Sequence, residues 1–596
     1  MTPDEYRLLG KHIAGGSVYI SNFILWFEAG YFDVSSDTKP LLHLWSLGIE
    51  EQFYIVWPFV ILILLKLKLR LETFLFLFFL SSFGLNAYRA FIATGPLNGT
   101  FYAPPTRFWE LAVGGVLAAA FYRADPIWNK LSFFLGKRLN SLIYSENQVG
   151  NEVQTCKDVL SCLGLALIAF SIVFFNSGMI FPGSKALLPT LGTALVIAAG
   201  PEAFVNRKLL SLKLMVFIGL ISYPLYLWHW PLLSFARIFY GEVPPKLIRI
   251  ALVVAAMLLA WITYRFIEPP LRWGKHSRIK AVCLFVTLLL VGFGGIKIYK
   301  NYGYPERVGF TVEEIQKYIN LEKYTKESTE RCLKIFPDWK GENIGQWGCK
   351  LQKEDKLNTV ALVGDSHAER LFYGLSEYYS NDNQNGVAVF SAPSQSPFIN
   401  LRTSINNIKN DRRYLLINKG YKYIFEDPKI KTVILAHFPW AGFEGGVDYL
   451  DDPNNKDVID VYSKAIRKTF DELKNHHKNV IYVLDNPYPK FDPHLCASRP
   501  ISMDNDKKNK CYLDREEYQN KDYLKSFNNI IADVIRDYNI KVINSFDLLC
   551  DSSSCPISRN GRLLYMDEHH LSYEGSRIIT QKLIEVINQI HSEDKK

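Results

Sequence analysis

The segment VALVGDSHAERL, residues 360 to 371, carries a serine where chemistry can be done: an apolar run of strand type enters a Gly-Asp turn, and Ser366 then opens a helical pattern. At a helix start a hydroxyl lies near backbone N–H groups that have no intrahelical partner, and near the positive end of the helix dipole. Both favour a developing oxyanion. Alone, Gly-Asp-Ser also makes an ordinary helix cap. A second motif, LLYMDEHHLSYEGSRIITQKL near the C-terminus, places Asp567 and His570 three apart in a loop before a helix. That spacing lets a carboxylate fix the tautomer of an imidazole that deprotonates a serine. Ser366, Asp567 and His570 are therefore the candidate catalytic set, and nucleophilic acyl chemistry is the reaction type. His569, two residues from Asp567, is expected to be a surface neighbour, and His367 to be structural or substrate-facing.

A second group of polar residues lies in apolar surroundings. KPLLHLWSLGIEEQFYIVWPFV (39 to 60) puts His43, Glu50 and Glu51 at the start of an apolar run, TRFWELAVGG sets Arg107 and Glu110 three apart on one helix face, and SYPLYLWHWPLL places His229 between two tryptophans. Ionisable groups inside a membrane are costly unless paired or facing a wet cavity, so each cluster is a site hypothesis. Trp26, Trp45, Trp57 and Trp230 read as interfacial anchors.

The elements that must position these residues follow from composition. The 596 residues are 48% hydrophobic and 21% charged, too long for one domain and unevenly apolar, with nearly all the long uncharged runs before residue 300. Eight candidate spans centre near residues 55, 81, 115, 168, 193, 223, 257 and 289, of which 186 to 200 is the shortest. Placing the loop KLKLR (66 to 70) inside and counting crossings makes the loops 123 to 158, 201 to 213 and 264 to 280 inner as well, and all are basic. The outer loops, such as LNGT at 97 to 100 and NSGMIFPGSKA at 176 to 186, carry hardly any Lys or Arg. The last span then delivers everything after about residue 299 to the outer side.

Six of the nine cysteines, Cys332, Cys349, Cys496, Cys511, Cys550 and Cys555, lie in that outer part. Six allow 15 pairings. Short loops close at the lowest entropic cost, which favours 332/349, 496/511 and 550/555, and such bridges persist in an oxidising compartment. No Cys-x-x-Cys spacing supports a metal site, so none is expected. Cys156, Cys162 and Cys283 read as packing residues. The net charge of +9 comes from short basic clusters between apolar runs, with no basic stripe interleaved with aromatics, and nucleic acid is not expected as a partner. Residues 299 to 330 read as a charged linker, and 401 to 425 as a solvated, charge-rich loop.

GYFD (30 to 33), PLLHLWSLGIEEQFY (40 to 54), RFWELAVGG (107 to 115), SYPLYLWHWPLL (222 to 233) and YRFIEPPLR (264 to 272) resemble, in order and spacing, the integral membrane acyltransferase family 3, over roughly residues 1 to 275. The resemblance implies transfer of an acyl group, usually acetyl, from cytoplasmic acetyl-CoA to a carbohydrate on the outer side. It places His43, Glu50, Glu51, Arg107, Glu110 and His229 around the transfer cavity. Family members begin with about three further spans that include a basic residue and, eleven positions later, the histidine taken as catalytic base. The chain opens with MTPDEYRLLGKHIAGGSVYISNFILWF, which is similar to the segment after the third span, and His12 lacks that pattern. The expectation is thus an N-terminally truncated reading frame whose missing spans a separate polypeptide could supply. Such a chain alone is not expected to acetylate a surface glycan, although its outer domain keeps esterase activity.

The segments around Ser366 and Asp567-x-x-His570 resemble the SGNH hydrolase domain, over roughly residues 330 to 592. That implies a three-layer α/β/α fold with a parallel sheet. TVILAHFPW (432 to 440) sits where that family often supplies an oxyanion-stabilising asparagine and has none, and SAPSQSPF shows no clear glycine donor, so only the Ser366 backbone N–H is assigned to the oxyanion.

The expected organisation is a multi-pass helical acyltransferase domain (1–298), a linker (299–330) and an SGNH-like domain (331–596) outside a bacterial inner membrane. The expected function is acyl transfer to a cell-envelope polysaccharide such as lipopolysaccharide O-antigen, with acetyl-CoA as co-substrate and no permanently bound cofactor. The alternatives are a membrane-tethered carbohydrate esterase, an inactive truncated transferase, and a non-enzymatic export channel, against which the serine pair argues.

Overall fold

The computed structural model describes the chain except for residues 29–35, 93–97, 123–132, 141–151, 177–178, 180, 242, 274, 309, 338–347, 354–356, 383–384, 405–410, 497–510, 539 and 594–596. The motif GYFD and most of the inner loop 123 to 158 lie outside the described residues. Two compact units divide the chain, residues 1, 3–239 and 243–304 forming the first, and residues 2, 240–242 and 305–596 the second.

The first unit is helical: α1 (Pro3–Ser17), α2 (Ser21–Glu28), α3 (Leu44–Lys66), α4 (Leu71–Ile92), α5 (Phe108–Tyr122), α6 (Glu152–Phe174), α7 (Leu187–Ala199), α8 (Lys213–Tyr240), α9 (Lys246–Ile262) and α10 (Ser277–Lys300) are its main elements. Six helices among the described residues are long and apolar enough to cross a membrane: Leu44–Lys66, Thr73–Ile92, Glu152–Phe174, Lys213–Tyr240, Lys246–Arg272 and Ser277–Lys300. The expected spans centred at 115 and 193 are shorter, with 15 residues in α5 and 13 in α7. At 1.5 Å per residue, 13 residues rise about 20 Å, short of a hydrocarbon core of about 30 Å. Pro104 and Pro105 hold the chain in a 3₁₀ turn before α5, and Gly200 ends α7 at φ 78°.

Where helices touch in this unit, glycines let the backbones meet. A Cβ on Gly295 of α10 would lie 2.6 Å from the Gly10 carbonyl of α1, and one on Gly10 would lie 2.8 Å from the Gly295 carbonyl. Gly164 of α6 and Gly192 of α7 face each other in the same way, at 2.6 and 2.8 Å. In lipid the hydrophobic effect does not bring helices together, so close backbone approach supplies the attraction.

The second unit begins earlier than its expected boundary. Within the segment read as a linker, α11 (Val312–Ile335) starts at a capping box between Thr311 and Glu314 and packs on strand β1 (Cys349–Leu351). Arg331 donates to the Leu351 carbonyl at 2.9 Å and to that of Gln352 at 2.6 Å, and Cys332 is bonded to Cys349. The charged face suggested a linker, yet its other face is part of the fold.

The sheet has six strands in the order β1-β3-β2-β4-β5-β6, with β2 (Val360–Gly364), β3 (Val387–Ser391), β4 (Thr432–Ala436), β5 (Asn479–Leu484) and β6 (Lys541–Asn544). These five are parallel, but β1 runs antiparallel to β3, so the sheet is mixed. A parallel entry needs a crossover of a dozen or more residues, and only residues 352–359 separate β1 from β2. The helices are α12 (Ser366–Tyr378), α13 (Asp411–Glu426), α14 (Val458–Asn475), α15 (Asp522–Ile535) and α16 (Tyr573–Glu593). Strand periodicity sorts them into layers. Ala361 and Val363 of β2 join the core of α13, α14 and α15, while Val360 and Leu362 join that of α12 and α16. Of the expected solvated loop 401 to 425, residues 405–410 lie outside the described residues, and the rest holds a short strand, Leu401–Thr403, and the helix α13, whose Leu416, Ile417, Tyr421 and Ile424 are buried in the core.

Candidate active site

The strand order reverses beside β2, since β3 lies on one side of it and β4 on the other. In open parallel sheets the crevice at the carboxyl ends of such strands is where ligands bind. Ser366 follows β2 directly. Gly364 makes that junction possible: a Cβ there would lie 1.8 Å from the Ala436 carbonyl of β4 and 2.6 Å from the Ala368 Cβ. Asp365 caps α12 by accepting from the His367 N–H at 2.8 Å, and its other oxygen accepts from the Phe438 N–H at 2.9 Å. One carboxylate thereby ties the turn after β2 to the turn after β4. Burial pushes Asp365 up to about 6.

Ser366, Asp567 and His570 come together as their types and spacing predicted. His570 Nε2 lies 2.7 Å from Ser366 Oγ, and its Nδ1 lies 2.7 Å from Asp567 Oδ2. The other Asp567 oxygen accepts from the backbone N–H groups of His569 and His570, at 3.0 and 2.8 Å. Burial works against the Asp567 charge, but the His570 hydrogen bond and these N–H groups outweigh it and hold the carboxyl well below its ordinary range. His570 is fully buried, and that burial carries its imidazole well below the usual value against the pull of Asp567. With Nδ1–H aimed at the carboxylate, a neutral Nε2 accepts from the Ser366 hydroxyl. This arrangement activates a serine for attack on an acyl carbonyl.

His569 is not the expected surface neighbour. Its Nδ1 lies 3.1 Å from His367 Nε2, its ring centroid is 3.9 Å from that of His570, and the Phe438 ring stacks on it at 5.4 Å. Phe438 stacks also on His367, at 4.7 Å. The Nδ1 of His367 lies 2.8 Å from the buried Asp485. Burial opposes a charge on His367, yet Asp485 and Asp365 outweigh it and hold the imidazole above its ordinary range. Burial, with the neighbouring His367 charge, pushes His569 down to about 4. The ring of Phe438 and the approach of His367 across the turn leave His569 half-buried, and neither is visible in the local spacing.

Asp485, Asn486 and Phe438 escaped sequence reading. The signal was their position, since LDNP and HFPW both follow a parallel strand at its carboxyl end. Asn486 Nδ2 donates to the carbonyls of Pro487, at 2.9 Å, and His569, at 3.3 Å, so it steadies the histidine segment. The other cysteine pairs are also bonded, Cys496 to Cys511 and Cys550 to Cys555, and Cys156, Cys162 and Cys283 are free.

In the first unit the polar residues form three groups. His43 and His229 lie with ring centroids 6.1 Å apart; Tyr226 donates to the His43 carbonyl and lies 2.6 Å from Ser46 Oγ. Arg107 pairs with Glu110 at 2.9 Å and covers the Trp45 ring at 5.2 Å, while Trp230 donates to the Lys39 carbonyl at 2.9 Å. These two tryptophans therefore take part in the polar clusters rather than serving only as belt anchors. Glu50 and Glu51 stay half-buried on α3 with no ion-pair partner among the described residues. The third group was not foreseen: buried His12 bonds Glu28 at 2.8 Å, and Lys11 and Lys39 reach the same carboxylate at 2.8 and 3.2 Å.

Comparison with known proteins gives two family matches. Residues 6–265 match the family described as an acyltransferase domain, and residues 331–585 the one described as an SGNH domain fused to AT3 domains. O-acetyltransferase OatA of Staphylococcus aureus (strain NCTC 8325 / PS 47) is 32% identical over 263 residues, which are 43% of this chain and 40% of that protein. Peptidoglycan O-acetyltransferase OatA of Listeria monocytogenes serovar 1/2a (strain ATCC BAA-679 / EGD-e) is 28% identical over 283 residues, 44% of this chain and 41% of that protein. The chain spans about two fifths of the length of these relatives. A solved structure, the periplasmic domain of a lipopolysaccharide acetyltransferase of Salmonella ser. Paratyphi A, is similar at 18% identity with a TM-score of 0.29, covering 39% of this chain and 85% of that one.

Proposed function

Because the chain belongs to the membrane acyltransferase family fused to an SGNH domain, we propose that this multi-pass membrane protein is an O-acetyltransferase acting on a cell-envelope polysaccharide. The observation that carries the reading is the Ser366–His570–Asp567 chain, with both links at 2.7 Å. Acetyl-CoA is the proposed donor, and the first unit the route by which the acetyl group reaches the second. Ser366 Oγ attacks the acetyl carbonyl while His570 Nε2 takes its proton. The bond to the leaving group breaks, and the leaving group carries that proton away from His570. A sugar hydroxyl then attacks the acetyl-serine, gives its proton to His570, and Ser366 regains it as the new ester departs. The backbone N–H of Ser366, at the start of α12, is the proposed donor to the developing oxyanion, since the N–H of His367 is already given to Asp365.

The proposed location is a bacterial inner membrane with the second unit outside, which three disulfides in that unit support. Peptidoglycan, named in the Listeria relative, and O-antigen are both candidate acceptors. The test takes the full chain purified in detergent, an activated acetyl ester as donor, and either glycan as acceptor, with acetyl on the glycan scored by mass spectrometry. Transfer by the wild type and none by Ser366→Ala is the expected result. Acetate release that no glycan diverts would replace the transferase with a tethered esterase.

A further inference from the structure

Beside the catalytic pair stand two histidines that acyl transfer does not use. His367, His569 and His570 each offer one ring nitrogen, and the three lie within 4.8 Å of one another. We propose that these three side chains form a binding site for a divalent transition-metal ion of the zinc class, and that the metal-bound form is an inhibited state of the enzyme.

Ligand type and spacing carry the first part. Imidazole is a preferred ligand of zinc and its neighbours in the transition series, and three histidines with a fourth position left for water is a recurring zinc set. Two nitrogens about 2.0–2.1 Å from one tetrahedral ion stand roughly 3.3 Å apart. His367 Nε2 and His569 Nδ1 stand at 3.1 Å. The third nitrogen has only to close from within 4.8 Å, and the His569 and His570 rings already touch, with centroids 3.9 Å apart.

The outer ring of contacts carries the second part. A zinc-bound histidine characteristically donates its other ring N–H to a carboxylate, which fixes the tautomer and strengthens the ligand. Two of the three are held this way, His367 Nδ1 by Asp485 at 2.8 Å and His570 Nδ1 by Asp567 at 2.7 Å. That leaves Nε2 of each as the coordinating atom. Asp365 and Asp485 are buried beside His367, and Asp567 holds His570, so carboxylates stand beside two of the three ligands and offset the charge of a dication.

Inhibition follows from shared atoms. The nitrogen that His570 would give the metal is the one that accepts the Ser366 proton, so an occupied site has no base. This consequence rests on the acyl-transfer reading above; the binding does not. The metal is exchangeable, because activity requires its absence.

The experiment uses the full chain without an affinity tag, purified in detergent and freed of metal by a chelator. Equilibrium dialysis against zinc should find one ion per chain, with an excess of magnesium failing to displace it. Asp485→Asn, which keeps the shape and removes the charge, should weaken binding about 10–100-fold, and His569→Gln should weaken it at least as much. Hydrolysis of p-nitrophenyl acetate should fall in the zinc range that fills the site, and return on chelation. His569→Gln, compared with its own metal-free rate, should need at least tenfold more zinc for the same loss. Absence of bound zinc, or zinc bound equally by wild type, Asp485→Asn and His569→Gln, overturns the site. Bound zinc with undiminished hydrolysis overturns the inhibited state. A chain that binds zinc through these residues but hydrolyses no ester even when metal-free would leave the metal site standing and refute the triad.

Discussion

Asp567 accepts three hydrogen bonds, and only one of them, from His570 Nδ1, concerns the chemistry. Asp567→Asn keeps the shape of the loop but offers an amide where the imidazole N–H needs an acceptor, so the ring loses its working tautomer. Hydrolysis of p-nitrophenyl acetate by the full chain should fall about four orders of magnitude, as in other serine triads, and Ser366→Ala should abolish it. A nearly normal rate in Asp567→Asn would remove the carboxylate from the mechanism. The meeting of Ser366, Asp567 and His570 was legible because each half is a local pattern, a serine after a strand and turn and a carboxylate three residues before a histidine. His569 was not, because its burial comes from Phe438 and His367, which lie on other strand ends. A third histidine reports on stability. His437 is buried with its Nδ1 3.0 Å from the Tyr482 hydroxyl, and burial pushes it down to about 3. Between pH 6.5, the ordinary histidine value, and about 3, the unfolded chain takes up a proton there that the folded chain refuses. Stability therefore rises with pH through that window. His437→Gln should flatten this part of the pH dependence of the calorimetric transition of the second unit, and an unchanged slope would assign it to other groups.

Elements here are set by the places where two backbones must pass. At Gly364 the junction of β2 with α12 runs against the carbonyl of Ala436, and a methyl group has nowhere to go. Gly364→Ala should lower the denaturation free energy of the second unit by more than the 1–3 kcal/mol typical of an overpacked core, because backbone rather than a side chain is in the way, and should lower esterase activity with it. A pair of substitutions on α10 separates packing from helix propensity. Gly295→Val meets the α1 backbone, whereas Gly294→Val has nothing within 4 Å. Scanning fluorimetry in detergent should show a large loss of thermal stability for the first and a small change for the second; equal losses would mean that α1 and α10 are not held by close approach. The same competition explains where sequence reading fell short. In α13 the buried Leu416, Ile417, Tyr421 and Ile424 recur at helical spacing, but Asp411, Arg412 and Arg413 come before them and Lys419 and Lys422 fall between, which gives the stretch the look of a loop. In α5 and α7 apolar composition suggested spans, and flanking proline and glycine cut them short.

At the scale of the whole chain, the second unit is fastened by bridges that close loops of 17, 15 and 5 residues. The longest joins α11 to β1, the edge of the sheet, and in chain-entropy terms a loop of that size contributes about 3 kcal/mol. Replacing Cys332 and Cys349 together by alanine should destabilise the unit by about that amount in urea, while the Cys550 and Cys555 pair, closing the shortest loop, should cost less; the reverse order would show that native contacts rather than loop closure decide. One further property follows from how the triad is distributed along the chain. The proposed nucleophile stands at residue 366 and the proposed base 204 residues later. A ribosome adds about 5–20 residues per second, so roughly ten to forty seconds separate the synthesis of the two. Throughout that interval the emerging polypeptide carries a serine with no partner to ionise it. On the proposed mechanism a chain that stops between residues 366 and 570 lacks the imidazole that takes the serine proton, so such a fragment is chemically silent.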